Sequence, residues 1–248
     1  MRLHVLGSSG SSPVRGNPGS GYLVTHGEEA IWLDAGPGTL MALLDIFDPS
    51  RLSAIVISHT HLDHSTDFLG FYHFVAHGPG ATRLPVFVPS GAAEHFGSYV
   101  ASGPSHGFWS AFDFTTCQTG TRVAIGAVSL TFASANHSVP SIATRLEAAG
   151  RSLVYTGDTG ESTAVTELAH RADVLLCEAS MQGPVSESAF EFHMTAEGAG
   201  RMAAEADVGR LILTHLPPTL SHERSIAEAG ATWGREPELA RPGTTIEI

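Results

Sequence analysis

His59-Thr60-His61-Leu62-Asp63-His64 places four residues of metal-ligand type within six positions, directly after the compact apolar run Ala54-Ile55-Val56-Ile57. The run has the length and β-branched content of a buried strand, so the histidine segment begins where a strand reaches the edge of its sheet. Rigid scaffolds commonly deliver functional loops there. In extended backbone, residues two apart point the same way. His59 and His61 can therefore share one ion, while Asp63 and His64, past the bend, face a second position. Imidazole nitrogen with carboxylate oxygen suits zinc, and also iron or manganese. The competing reading, a solvated polar loop in a histidine-rich chain, leaves the rest of the pattern without a cause.

That remaining pattern consists of single residues at the ends of other expected strands. Alternation and β-branched residues predict strands at Val128 to Ala133, Ser152 to Tyr155 and Leu211 to Thr214. His137, Asp158 and His215 follow them in turn. Each alone reads more readily as a turn former or cap than as a ligand, but together they are what two metal shells begun at His59 to His64 would need. Further strands are expected at Arg2 to Leu6, Gly21 to Thr25, Ala30 to Asp34, Pro85 to Val88, Phe112 to Phe114, Arg122 to Ile125, Ala143 to Leu146 and Val174 to Cys177. Helices are expected at Gly38 to Phe47, Asp67 to His77, Ser90 to Ser102, Ser162 to Ala172, Thr195 to Ala206 and Ser221 to Trp233. Gly198 and Gly200 inside a helix each cost about 1 kcal/mol relative to Ala, which points to close packing or a shorter helix. With no linker, charge block or repeat, residues 1–248 read as one domain of layered α/β architecture.

Composition narrows the function. The 248 residues are 42% hydrophobic, with 27 glycines, 14 prolines and 14 histidines, which describes a turn-rich globular chain with abundant metal-ligand side chains. A formal net charge of −12 argues against gripping an extended nucleic acid, which takes clustered Lys and Arg. The start at Met1 runs straight into a strand pattern without a leader-like segment, and no apolar run reaches membrane-spanning length. Two cysteines, Cys117 and Cys177, make at most one disulfide, so a reducing cytoplasm is the expected compartment.

The segment His59 to His64 matches the His-X-His-X-Asp-His signature, and the chain thereby resembles the metallo-β-lactamase superfamily. Leu6-Gly7-Ser8-Ser9-Gly10-Ser11, Asp34-Ala35-Gly36-Pro37-Gly38-Thr39, His137-Ser138-Val139-Pro140-Ser141, Gly157-Asp158-Thr159 and His193-Met194-Thr195 are similar to the branch containing ribonuclease Z and small phosphodiesterases. The resemblance implies a four-layer αββα sandwich with its site at one edge. It implies two divalent ions, zinc foremost with manganese or iron as alternatives. His59, His61 and His137 would hold one ion, Asp63, His64 and His215 the other, and Asp158 would bridge them. It also implies that His193 faces the leaving group, to donate a proton or to steady the developing negative charge, against a plain role beside a helix N-terminus. Asp63 could accept a proton as well as ligate. Asp34 is either the partner that orients a metal-bound histidine or a turn aspartate. His4, His26, His73, His77, His95, His106, His170 and His222 read as surface or packing residues, with helix spacing placing His73 and His77 on one face.

Ribonuclease Z carries a tRNA-gripping arm, in many members between the positions matching His137 and Asp158. Here those residues are only 21 apart, space for two strands and a turn. Together with the acidic balance and a likeness to class II cyclic-AMP phosphodiesterases, this predicts hydrolysis of a small phosphodiester such as a 3′,5′-cyclic nucleotide. A tRNA 3′-processing endonuclease, a lactone or thioester hydrolase, and a non-catalytic binding protein are the alternatives. The resemblance also implies a homodimer, although no interface stripe is visible in the sequence.

Overall fold

The strand Glu29–Leu33 shows how the layers arise. Ile31 and Leu33 point into a core shared with a second sheet, while Ala30 and Trp32 point outward beneath helices. Alternation sends successive side chains to opposite faces, and here both faces are apolar, so both are covered. The computed structural model describes residues 1–77, 83–100, 107–183 and 191–248.

In chain order the first sheet comprises β1 (Arg2–Gly7), β2 (Gly21–His26), β3 (Glu29–Leu33), β4 (Ala54–Val56), β5 (Leu84–Val88) and β6 (Phe112–Thr116). The second comprises β7 (Arg122–Ile125), β8 (Val128–Ser134), β9 (Ile142–Ala148), β10 (Arg151–Tyr155), β11 (Val174–Glu178), β12 (Arg210–Thr214) and β13 (Glu238–Leu239). The strand β14 (Thr245–Glu247) returns to the first sheet beside β1. The spatial orders are β14-β1-β2-β3-β4-β5-β6 and β13-β12-β11-β10-β9-β8-β7. Leu3, Val5, Val24 and Phe87 of the first sheet meet Leu130, Phe132, Leu146 and Leu176 of the second in the central core.

Helices α1 (Thr39–Ile46), α2 (Leu62–His77), α3 (Ala92–Val100) and α4 (Gly107–Ala111) cover the first sheet, packing Phe68, Phe71, Phe96 and Phe108 onto Trp32, Ile55 and Val86. Helices α5 (Thr163–Ala169), α6 (Ala196–Glu205) and α7 (His222–Trp233) cover the second, through Val165, Ala199, Met202 and Ala229 against Leu175 and Leu211. The result is the αββα sandwich. Glycines in α6 are explained by packing: a side chain at Gly200 would collide with the backbone of Ala229 in α7. Helix α1 starts at Gly38, which offers no capping side chain. Asp67 of α2 supplies the acceptor instead, taking the Leu40 N–H at 2.8 Å.

Two differences from the sequence-based expectations have physical causes. Helix α2 begins at Leu62 rather than Asp67, so Asp63 and His64 lie on its first turn. Its early turn is polar and is held by His64 N–H and Ser65 Oγ donating to the His61 carbonyl at 3.1 and 2.9 Å, which apolar periodicity does not register. The elements α4, β13 and β14 are too short to carry a period. The expected end of a helix at Ser102, and His106, lie outside the described residues. Cys117 and Cys177 are both free and buried. No helix among the described residues is long and apolar enough to cross a membrane.

Candidate metal centre

Strands β10, β11 and β12 run parallel, so their C-terminal ends lie at the same edge, and Asp158, Glu178 and His215 are found there. The loop after β4 brings His59 and His61 to that edge from the first sheet, and a backbone bond from Ile142 N–H to the Ser58 carbonyl, 2.9 Å, ties the two sheets together at this point. Gly157 makes the approach possible: its φ is +58°, and a Cβ there would lie 2.7 Å from Ser58 Cβ. Asp34 and His215 are also left-handed, at φ +53° and +54°. Non-glycine residues adopt that conformation at a cost of about 1–3 kcal/mol, and here both occupy it at a strand end beside the cluster.

All seven ligand-type residues expected from sequence converge. His59, His61, His137 and Asp158 form one group and Asp63, His64 and His215 another, with the donor atoms of each group within 4.8 Å of one another. His61 Nδ1 faces His137 Nε2 at 3.2 Å. His64 Nε2 is 3.2 Å from Asp158 Oδ1, and His215 Nε2 is 3.2 Å from Asp63 Oδ2. His59 Nε2, His64 Nε2 and Asp158 Oδ1 are buried and none makes a well-formed hydrogen bond, His64 and Asp158 meeting only as a close ion pair. Buried polar atoms are normally paired. Three orphans aimed into a single cluster of imidazole and carboxylate groups are the arrangement a divalent cation completes, so these residues fit such ions.

Electrostatics agree with that fit at His59, His61 and His137. Burial, with His64 nearby, holds His59 far below the ordinary histidine range; burial also lowers His61 and His137. Neutral imidazole is the ligating form. Burial disfavours charge on His64 too, but Asp158 and Asp34 outweigh it and hold its pKa well above the usual value. Asp158 is likewise opposed by burial, yet His215, His64 and His59 keep it well below the carboxylate range. Asp63 is lowered, because the His215 hydrogen bond and the charges of His64 and His215 overcome burial.

A further layer orients the cluster. Asp34 is fully buried and takes His64 Nδ1 at 2.7 Å, Ser58 N–H at 2.6 Å, Ser58 Oγ at 2.7 Å and Tyr155 Oη at 2.6 Å. Of its two readings from sequence, the one that orients a histidine matches this geometry. Supporting carboxylates of this kind fix ring orientation and tautomer. His193 Nδ1 lies 3.0 Å from Glu178 Oε1. It also lies 3.8 Å from Asp158, but the Glu178 bond commits that nitrogen, so Nε2 is the one this carboxylate does not engage. Burial lowers the His193 pKa, whereas the hydrogen bond and charge of Glu178 raise it further, to about 9. Glu178 is a functional residue that the sequence analysis does not single out. The signal was present: a single carboxylate closing the apolar run Val174-Leu175-Leu176-Cys177, fully buried in the fold.

Residues 29–216 match the family model described as the beta-lactamase superfamily domain. The chain belongs to that superfamily. Within it, the chain is 34% identical over 256 positions to uncharacterized protein ML1173 of Mycobacterium leprae, covering all of this chain and 89% of the relative. It is 28% identical to the probable metallo-hydrolase YhfI of Bacillus subtilis over 252 positions and the full length of both. The crystal structure of YhfI superposes with a TM-score of 0.87, covering 99% of each chain. Ribonuclease Z of Thermobifida fusca is 26% identical over 302 positions, covering 99% of this chain and 94% of that protein. These likenesses place the chain in the ribonuclease Z-like, metallo-hydrolase branch of the superfamily, as a hydrolase whose fold implies divalent metal ions.

Proposed function

We propose that this protein is a two-metal phosphodiesterase acting on a small phosphodiester, a 3′,5′-cyclic nucleotide such as cyclic AMP, with zinc as the metal. His59, His61 and His137 would hold one ion, Asp63, His64 and His215 the other, and Asp158 both. The observation that carries the choice of substrate is the short path from His137 to Asp158: it is filled by β9 and β10, which pair through Arg151 and Ala148 about a tight turn, with no room for a protruding arm. The 302-position alignment with the ribonuclease Z against a chain of 248 residues means that the longer enzyme carries segments absent here. A net charge of −12 also suits a small anion held by metal better than a polyanion held by the surface.

Two such ions, when bound, activate water and neutralise charge on a phosphoryl group. The protein's own groups supply the rest. His193, protonated and held by Glu178, has its Nε2 left to give a proton to the departing oxygen. Asp34 keeps His64 turned into the site, and burial of His59 and Asp158 excludes competing water.

The test is a substrate panel with the zinc- or manganese-loaded protein: cyclic AMP, bis(p-nitrophenyl) phosphate, precursor tRNA, a lactone and a thioester. Hydrolysis of the first two, with cyclic AMP preferred, is the expected result. Failure to cleave either phosphodiester sinks the proposal, cleavage of precursor tRNA alone would favour the endonuclease, and turnover of the acyl substrates alone would favour the lactone or thioester hydrolase.

A further inference from the structure

Ser180 Oγ lies 2.6 Å from Glu178 Oε2, 2.8 Å from His215 Nδ1 and 3.2 Å from the His215 carbonyl. A serine hydroxyl has one proton to give and lone pairs to accept with. The Glu178 carboxylate is ringed by donors: Thr159 N–H at 2.9 Å and His193 Nδ1 at 3.0 Å on Oε1, and Ser180 N–H at 3.2 Å on Oε2. It acts only as an acceptor, so the short Ser180 contact takes the hydroxyl proton. With that proton spent, Ser180 Oγ can only accept from His215 Nδ1. His215 is thereby protonated at Nδ1, and its Nε2 is turned to Asp63 at 3.2 Å and to the centre of the second ligand group, where an ion would take the place of any Nε2 proton.

The same proton inventory recurs on the other sheet with different residues. Ser58 Oγ is 2.7 Å from Asp34 Oδ2 and 3.0 Å from His59 Nδ1. Each buried carboxylate thus holds one histidine directly and another through a serine: Asp34 holds His64 and, through Ser58, His59, while Glu178 holds His193 and, through Ser180, His215.

We infer that Ser180 is a positioning residue that locks His215 in its Nδ1–H tautomer and joins it to the carboxylate that holds His193. The consequence for metal binding rests on the two-metal reading above; the tautomer itself does not. An orienting group of this kind is worth about 10–100-fold in metal affinity, and one carboxylate then sets the geometry of both a metal histidine and the proton donor.

The experiment begins with metal-free, histidine-labelled protein, whose long-range proton–nitrogen spectra report the tautomer of each ring. His215 is expected to carry a proton at Nδ1 in the unsubstituted protein, to lose it in part in Ser180→Ala, and to regain it in Ser180→Thr. Chelator competition then measures zinc affinity. Ser180→Ala should weaken one of two equivalents by about 10–100-fold and leave the other unchanged, whereas Ser58→Ala should weaken the equivalent that Ser180→Ala spares. Absence of a proton at His215 Nδ1 in the unsubstituted protein overturns the inference without any variant, as does an unchanged Nδ1 proton in Ser180→Ala. Absence of a second zinc equivalent in the unsubstituted protein would refute the two-metal reading while the tautomer result still decides the role of Ser180.

Discussion

His193 donates through Nδ1 to Glu178 Oε1 across 3.0 Å, and that carboxylate has no exposure to solvent. The pair therefore keeps its charge interaction at a strength an exposed pair would lose to water. Replacing His193 by Ala should leave metal content intact and slow turnover by roughly 10²–10⁴-fold, the usual worth of a positioned proton donor. Glu178→Gln keeps the shape but removes the charge that raises the His193 pKa, so the imidazolium is lost at lower pH. The alkaline limb of the pH–rate profile should move toward acid in Glu178→Gln and vanish in His193→Ala. A profile of kcat that is identical in all three proteins would remove His193 from the reaction.

Stability of the metal-free protein should depend on the same pair. The folded His193 pKa of about 9 lies above its ordinary value of 6.5. A raised histidine pKa means the folded state binds the proton more tightly. Its contribution is full below about pH 6.5 and is lost as pH rises through about 9. Chelator-treated protein should lose thermal stability across that interval, and His193→Gln should show a shallower decline. Parallel melting curves for the two proteins between pH 6 and pH 9 would contradict this.

Asp158 stands between both ligand groups, 3.8 Å from His59 Nε2 and 3.2 Å from His64 Nε2. Asp158→Ala should lose metal and hydrolysis together, as read by elemental analysis of dialysed protein alongside an activity assay. Full retention of two equivalents in this variant would refute a bridging carboxylate.

Asp67 caps a helix to which it does not belong. Asp67→Ala removes the acceptor for the Leu40 N–H at the start of α1 and should cost about 1 kcal/mol, the usual worth of a lost cap. Hydrolysis at a permissive temperature should be retained, since Asp67 touches none of the ligand-type residues. Denaturant titration measures the loss, and a change below a few tenths of a kcal/mol would show that water replaces the carboxylate without penalty.

Much of the site was legible because its chemistry is concentrated at strand ends, where a polar residue interrupts an apolar run. His59, His137, Asp158 and His215 announce themselves in that way, and each lies in the cluster the structure assembles. The supporting residues were not legible for the opposite reason. Ser58 and Ser180 are common residue types, and their meaning lies in the direction of one proton, which depends on Asp34 reaching Ser58 and His215 reaching Ser180 from elsewhere in the chain. Tyr155 reads as an ordinary strand residue, yet its hydroxyl reaches Asp34 across 121 positions of sequence. The start of α2 escaped for a local reason, since a turn held by backbone and serine bonds leaves no apolar period. Gly157 could be read as a turn, but not as the point where one sheet touches the other.

Each of the two ligand groups draws from both halves of the sandwich: His59, His61, Asp63 and His64 from the loop and helix after β4, and His137, Asp158 and His215 from the second sheet. The ions would then act as rivets through two β-leaves that at that edge are otherwise joined by the Ile142–Ser58 backbone bond and the Tyr155–Asp34 bond. Binding to the folded state alone adds about 2.7 kcal/mol when free metal exceeds its dissociation constant a hundredfold. Hydrogen exchange should accordingly slow on metal addition at the ends of β4 and of β12 together, although they belong to different sheets. Starving such a protein of metal unfastens its architecture along with its chemistry, exposing it to proteolysis as its activity fades.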